Sequence, residues 1–267
     1  MLDFVVASER EGKRGVTEVF PTFIVKKSSD LMIRGHDFYA VWDADRGLWS
    51  TDEDDAIRII DNDLDVYAEQ QRKRRPDQVF KVLHLRTAHN RMIKTLHTYL
   101  KDDMRDNYVP LDEKLTFADT KVTKRDHVSK RLPYSLESKE TPAYDRIMET
   151  LYSPENRHKI EWCNGCVLSG DSTWVQKFLV LYGPGGTGKG TVLSISDMLF
   201  EGYTRSFEVK TLVSNSSFPL EAFKDGPLVA IQYDGDLSRI EDNAKLNSIV
   251  SHETMLVNEK FKSQYQR

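Results

Sequence analysis

Residues 183–191, Gly-Pro-Gly-Gly-Thr-Gly-Lys-Gly-Thr, have the composition and spacing that most directly imply chemistry. The pattern is G-x-x-x-x-G-K. An apolar run, Phe178-Leu179-Val180-Leu181-Tyr182, precedes it, and a stretch to about Phe200 with Val192, Leu193, Ile195 and Leu199 apolar follows. Strand, glycine-rich turn and helix in that order are the context of a phosphate-binding loop. Gly183, Gly185, Gly186 and Gly188 let the backbone curl so that successive N–H groups, including that of Thr187, point at phosphate oxygens. The helix N-terminus adds partial positive charge, and Lys189 would reach the outer phosphates. The position after the lysine usually carries a hydroxyl that holds Mg2+. Here it is Gly190, so Thr191 or water must take that part.

A second apolar run, Leu228-Val229-Ala230-Ile231-Gln232-Tyr233, reads as a buried strand and ends in Asp234-Gly235-Asp236. An acid at the end of such a strand can orient Mg2+, and a second can polarise an attacking water. Asp234 is the candidate for the first task, and Asp236, or Glu241 further on, for the second. Asp-Gly-Asp is equally good turn chemistry. Residues 255–265 then read as strand, turn, strand, with Lys260, Phe261 and Lys262 at the tip. Two cations and a ring suit phosphate contact and base stacking on a single nucleic-acid strand, although many charged hairpins do neither.

These residues need a scaffold, and 267 residues with 39% hydrophobic content supply about two domains without disulfides. Two cysteines make no disulfide framework, no apolar run approaches a membrane span, and the N-terminus lacks signal-peptide features. A soluble, cytoplasmic protein (host cytoplasm if viral) is expected. The net charge of −4 averages over basic clusters at 72–75, 121–130 and 260–262, and so excludes no partner class.

Residues 1–50 read as β-rich, with strands at 16–26 and 38–42, a turn at 43–47 and a return at Leu48-Trp49. Residues 51–54 cap a helix whose apolar positions are Ala56, Ile59, Ile60, Leu64 and Tyr67. Its basic end, 72–75, suits the helix dipole, and Pro76 stops it. Further helices are expected over 87–101, from Pro142, and over 155–168, with short strands near 114–117 and 121–123. Cys163 and Cys166 share a helix face and read as buried structural thiols. His84, His89 and His97 lack metal-site spacing. The fold class is α/β: a mixed β/α accessory region over 1–110, a linker and helical pre-core over 111–172, and a P-loop core over 173–267.

The phosphate loop, the acidic strand end and the motif Val257-Asn258-Glu259-Lys260-Phe261-Lys262, in that order, resemble the superfamily 3 helicases of the phage and poxvirus primase-helicase type. Residues 141–182 and 112–136, with Lys130-Arg131-Leu132-Pro133-Tyr134, also look like the region preceding the core in that group. The resemblance covers about 110–267 and implies an AAA+ ring, a homo-oligomer expected to be hexameric. ATP and Mg2+ would sit between subunits, with Lys189 on phosphate, Asp234 and Asp236 on metal and water, and Lys260 and Lys262 on single-stranded or forked DNA. Primase acids with convincing spacing are absent from 1–110.

The family places a sensor strand ending in asparagine between the P-loop strand and the acidic strand, and later an arginine finger. The stretch after Gly183 has room for neither. The expected core is therefore truncated at its C-terminal side. Either its two catalytic strands pair directly, or another chain fills the gap, or the chain is a fragment. The function expected is an ATP-dependent DNA helicase subunit. A non-catalytic DNA-binding or assembly fragment is the alternative, and a nucleoside monophosphate kinase-like enzyme, which shares Gly-Lys-Gly-Thr, a lesser one.

Overall fold

The computed structural model describes residues 1–24, 27–34, 37–86, 96, 108–137, 139–213, 220–224, 226–235, 244–257 and 265–266. They belong to two units: Met1–Asp112 with Lys121–Lys130, and Glu113–Thr120 with Arg131–Arg267. The chain is mixed α/β, built on small sheets.

In the first unit, β1 (Val5–Glu11) pairs antiparallel with β2 (Val16–Phe23), and β2 pairs parallel with β6 (Val79–Val82). Pro21 lies past the last β6 pair, at an edge position where a missing N–H is tolerated. A second sheet is the meander β3 (Leu31–Arg34), β4 (Asp37–Asp43) and β5 (Leu48–Ser50). Helix α1 (Glu53–Arg74) starts where the Asp52 side chain accepts from the Asp54 N–H, with three acids in its first turn and three bases in its last. Its stripe Ala56, Ile60, Leu64, Ala68 is buried against Phe4, Val19, Leu31, Ile33, Val41 and Phe80. Each large aliphatic side chain enclosed there contributes about 1.5–3 kcal/mol. Alternation along β4 sends Ala40 and Trp42 to a second cluster with Met32, Trp49 and Leu111.

The basic run at the end of α1 has structural partners. Arg72 donates to the Phe80 carbonyl and pairs with Glu69. Arg75 pairs with Glu9 and lies over the Phe80 ring. Fully buried Asp61 accepts from the N–H groups of Leu85 (2.6 Å) and Arg86 (3.3 Å). Of the helix expected over 87–101, only Leu96, helical and buried, is among the described residues. The short strands expected near 114–117 and 121–123 are not strands. Residues there lie in loops and a 3-10 turn at Lys124–Asp126, where Thr123 and Asp126 form a reciprocal capping box. Such side chains offer the backbone partners that compete with a ladder.

In the second unit, α2 (Pro142–Leu151) and α3 (Pro154–Ser169) form where expected, each with proline in its first turn. Short α4 (Ser172–Val175) follows. Arg157 of α3 pairs with Asp145 (2.5 Å) and Glu161 (2.7 Å) beneath the Tyr144 ring. Burial first, then Glu161, pushes the Tyr144 hydroxyl up to about 12. Cys163 and Cys166 are half-buried free thiols rather than enclosed ones, and burial, then Cys166, pushes the Cys163 thiol up. Beyond them lie α5 (Lys189–Leu199), β7 (Thr204–Ser206), α6 (Val209–Val213), β8 (Val229–Ile231), α7 (Ala244–Val250), β9 (Leu256–Val257) and β10 (Tyr265–Gln266).

One strand is corrected. Residues 178–182 were expected as a buried strand, but they carry no strand pairing and are mostly exposed. A wholly apolar strand is stable only when neighbours pair its edges and cover its faces. Among the described residues, β8 pairs parallel with β7 instead, and residues 178–182 have no such neighbour. β8 itself is short and only Ile231 is buried, so the second expected buried strand is also only partly enclosed.

Replacing Asp61 with alanine strands the buried Leu85 N–H and removes the Arg86 ion pair, and should cost about 2–3 kcal/mol in denaturant unfolding. The bond from Arg75, above all, holds the Glu9 carboxyl below its usual 4.5. A depressed carboxylate adds stability above its unfolded value and loses it as pH falls through the folded value. Glu9→Gln should therefore flatten the decline of thermal stability below about pH 4.5.

Candidate functional site

The glycine loop ends on Gly188, the N-cap of α5, and the first helical bond runs from the Val192 N–H to the Gly188 carbonyl at 3.1 Å. The N–H groups of Lys189, Gly190 and Thr191 therefore precede the helix ladder, as in any helix start, and add to the positive end of the helix dipole. Two backbone positions demand glycine. Gly186 has φ +77, and Gly188 has φ +80. Gly188 is also closed in sterically: a methyl group there would lie 2.6 Å from Leu151 Cδ1. The last residue of α2 is thus packed directly against the loop. One turn into α5, Val192 joins Met148 and Ile160 in a buried cluster flanked by Tyr144, Tyr152 and Leu181. Ser196 bonds Asn164 of α3 at 3.2 Å.

Lys189 is half-buried and folds back across the loop. Its ammonium donates to the carbonyls of Gly183 (2.8 Å) and Pro184 (2.6 Å) and lies 3.4 Å from Thr187 Oγ1. Thr187 in turn donates to the Pro184 carbonyl at 2.9 Å. A cation, a helix N-terminus and glycines at positive φ thus converge on one loop, a combination that attracts and cradles phosphate.

The far end of α5 is held by Thr116 and Tyr134 of the same unit. Tyr134 donates to the Leu199 carbonyl, and the Thr116 N–H donates to the buried Tyr203 hydroxyl at 3.2 Å. Sequence reasoning gave Tyr134 only as the end of the motif Lys130-Arg131-Leu132-Pro133-Tyr134 and assigned no part in the site to Leu151 or Tyr203. Leu151 was visible only as one more apolar residue of its helix.

The other expected site residues are less concentrated. Gly185 and Gly190 lie in the loop and first turn with open space around them. Thr191 is exposed on that turn. Asp234 is exposed beyond β8, in a turn braced by Gln232, whose amide donates to the Asp234 carbonyl at 3.0 Å and accepts from the Val209 N–H. No hydrogen bond or ion pair joins Asp234 to Lys189 or Thr191 among the described residues, and no group of three or more metal-ligating side chains occurs among them. Asp236 and Glu241 lie outside the described residues. The expected hairpin has its stem: β9 pairs antiparallel with β10, with Val257 opposite Tyr265. Lys260, Phe261 and Lys262 fall between these strands, outside the described residues. No described helix is long and apolar enough to cross a membrane.

A family model described as a family of unknown function, DUF5906, matches residues 181–267. That stretch begins two residues before the glycine loop and includes β8, Asp234 and the hairpin. No curated protein matches the chain.

Gly188→Ala forces a methyl into Leu151 and a left-handed backbone onto alanine, which costs about 1–2 kcal/mol before the clash is counted. The variant should melt at lower temperature and bind inorganic pyrophosphate more weakly in calorimetry. Gly190→Ala, with open space around it, should leave the melting temperature nearly unchanged.

Proposed function

We propose that the second unit binds ATP with Mg2+ through residues 183–191 and serves an ATP-dependent DNA helicase of the superfamily 3 type. The observation that carries this reading is the loop itself: Lys189 spans the carbonyls of Gly183 and Pro184 at the N-terminus of α5, on a turn that requires Gly186 and Gly188. In this reading the ammonium exchanges those carbonyls for phosphate oxygens, and the N–H groups at the start of α5 bind the same phosphates. Mg2+ is commonly held by one or two protein ligands together with phosphate oxygens and waters, so a dense cluster of acids is not required. The exposed Thr191 hydroxyl and Asp234 carboxylate fit that sparse donor set. Bound Mg2+ would neutralise phosphate charge. Asp236 is the proposed water-orienting acid, and Lys260, Phe261 and Lys262 the proposed contacts to a single DNA strand. A ring of identical subunits, six in the family it resembles, completes the proposal.

A second reading has a specific observation in its favour. Residues 178–182 do not pair with β8, which pairs with β7 instead. Among the described residues no strand bridges residues 178–182 to β8, as the sensor strand does in the family the chain resembles. A non-catalytic DNA-binding or assembly role needs no hydrolysis.

Calorimetric titration should show ATP binding in the presence of Mg2+, with Lys189→Ala weakening it at least tenfold, about 1.4 kcal/mol. Steady-state hydrolysis by the chain alone should be slight. Loss of DNA binding with Lys260→Ala plus Lys262→Ala, but not with Lys189→Ala, would favour the non-catalytic role. DNA-stimulated hydrolysis abolished by Lys189→Ala would establish the catalytic one. Absence of ATP binding would remove the helicase reading.

A further inference from the structure

The segment Cys163-Asn164-Gly165-Cys166 lies within α3, the helix that packs against α5 beneath the glycine loop. Both thiols are free and half-buried. Three residues apart on a helix, their side chains are neighbours. Ile160 and Asn164, four apart, share the face toward α5. There Ile160 is buried with Val192, and the Ser196 hydroxyl donates to the Asn164 amide oxygen at 3.2 Å. The residue that ties α3 to α5 by a hydrogen bond therefore sits between the two cysteines.

Packing does not explain Gly165. It is exposed, and a Cβ there would meet no described atom within 4 Å. Glycine inside a helix weakens it relative to alanine, but leaves the backbone free to bend. Joining the two cysteines needs that freedom. Side chains three apart on a helix have their Cβ atoms about 5–6 Å apart. A disulfide draws them to about 3.5–4.5 Å. Closure must therefore deform the turn 163–166 and displace Asn164. A disulfide closed against the helix is strained, and so is readily reduced again.

We propose that Cys163 and Cys166 are a reversible redox site, oxidised by a low-molecular-weight disulfide to an internal disulfide that pulls Asn164 from Ser196 and loosens α5. The Cys166 thiolate attacks the small disulfide, whose S–S bond breaks, and the departing thiolate takes up the proton that Cys166 lost. Cys163 then loses its proton and attacks the Cys166 sulfur, and the second small thiol leaves with that proton. The protein gives up two electrons, and the small disulfide becomes two thiols. Burial, then Cys166, holds the proton on Cys163, which suits the later, resolving step. The proposal holds whatever the glycine loop binds.

Incubating the folded full chain with glutathione disulfide, followed by mass spectrometry and hydrogen exchange, tests it. The unaltered chain should lose two hydrogens in mass, retain no glutathione, and revert with dithiothreitol. Cys163→Ser should instead retain one glutathione on Cys166. Gly165→Ala should slow closure at least about threefold. In the oxidised chain the amides of α5 from Leu193 to Leu199 should exchange about tenfold faster, while those of α1 stay unchanged. Reduced Asn164→Ala should show the same rise in α5 without any oxidant. Circular dichroism reports whether each variant is folded. A folded chain whose thiols do not react, glutathione retained on the unaltered chain, closure that leaves α5 exchange unchanged, or a folded Asn164→Ala with unchanged α5 exchange would each overturn the proposal.

Discussion

The contact between Leu151 and Gly188 is the constraint on which the second unit depends. A helix start can present N–H groups to an anion only if the loop before it is held in one shape. Here the C-terminal residue of α2 lies so close to Gly188 that any Cβ there would require the Leu151 side chain to shift. Val192, a turn further on, is locked against Met148 and Ile160. At its other end α5 is fixed by Tyr134 and by the buried Phe200 and Tyr203. The α2–α3 pair is therefore the floor of the loop, and its packing gives Lys189 a defined set of carbonyls to span.

Much of this scaffold was legible in the sequence because its signals are local. Proline at the first turns of α2 and α3, Asp52 before α1, and apolar residues at helical spacing mark helices whose termini are satisfied by nearby groups. β2, β4 and β5 were legible for a similar reason, a tight turn at 43–47 joining β4 to β5, whereas β1 and β3 were not marked by any such signal. The glycine loop was legible as a motif. Its floor was not, because the approach of Leu151 to Gly188 spans a long stretch of chain and leaves no trace in local spacing.

The structure departs from the sequence pattern for two physical reasons. Residues 178–182 and β8 both read as buried strands, since apolar runs are usually enclosed. An apolar run states what would be favourable, not whether neighbours exist to supply it. β8 finds β7, and residues 178–182 find no strand among the described residues. The loops around 114–123 failed differently: Thr123 and Asp126 satisfy local backbone groups that a strand ladder would have used. Helices position the phosphate loop, while among the described residues no sheet joins it to Asp234.

The central claim is that the start of α5 receives phosphate. Hydrogen exchange of the backbone amides at residues 185–191, measured with and without ATP and Mg2+, addresses it most directly. Protection confined to those amides and to the first turn of α5, and abolished in Lys189→Ala, is the result the account predicts. Unchanged exchange across that loop at saturating nucleotide would contradict it.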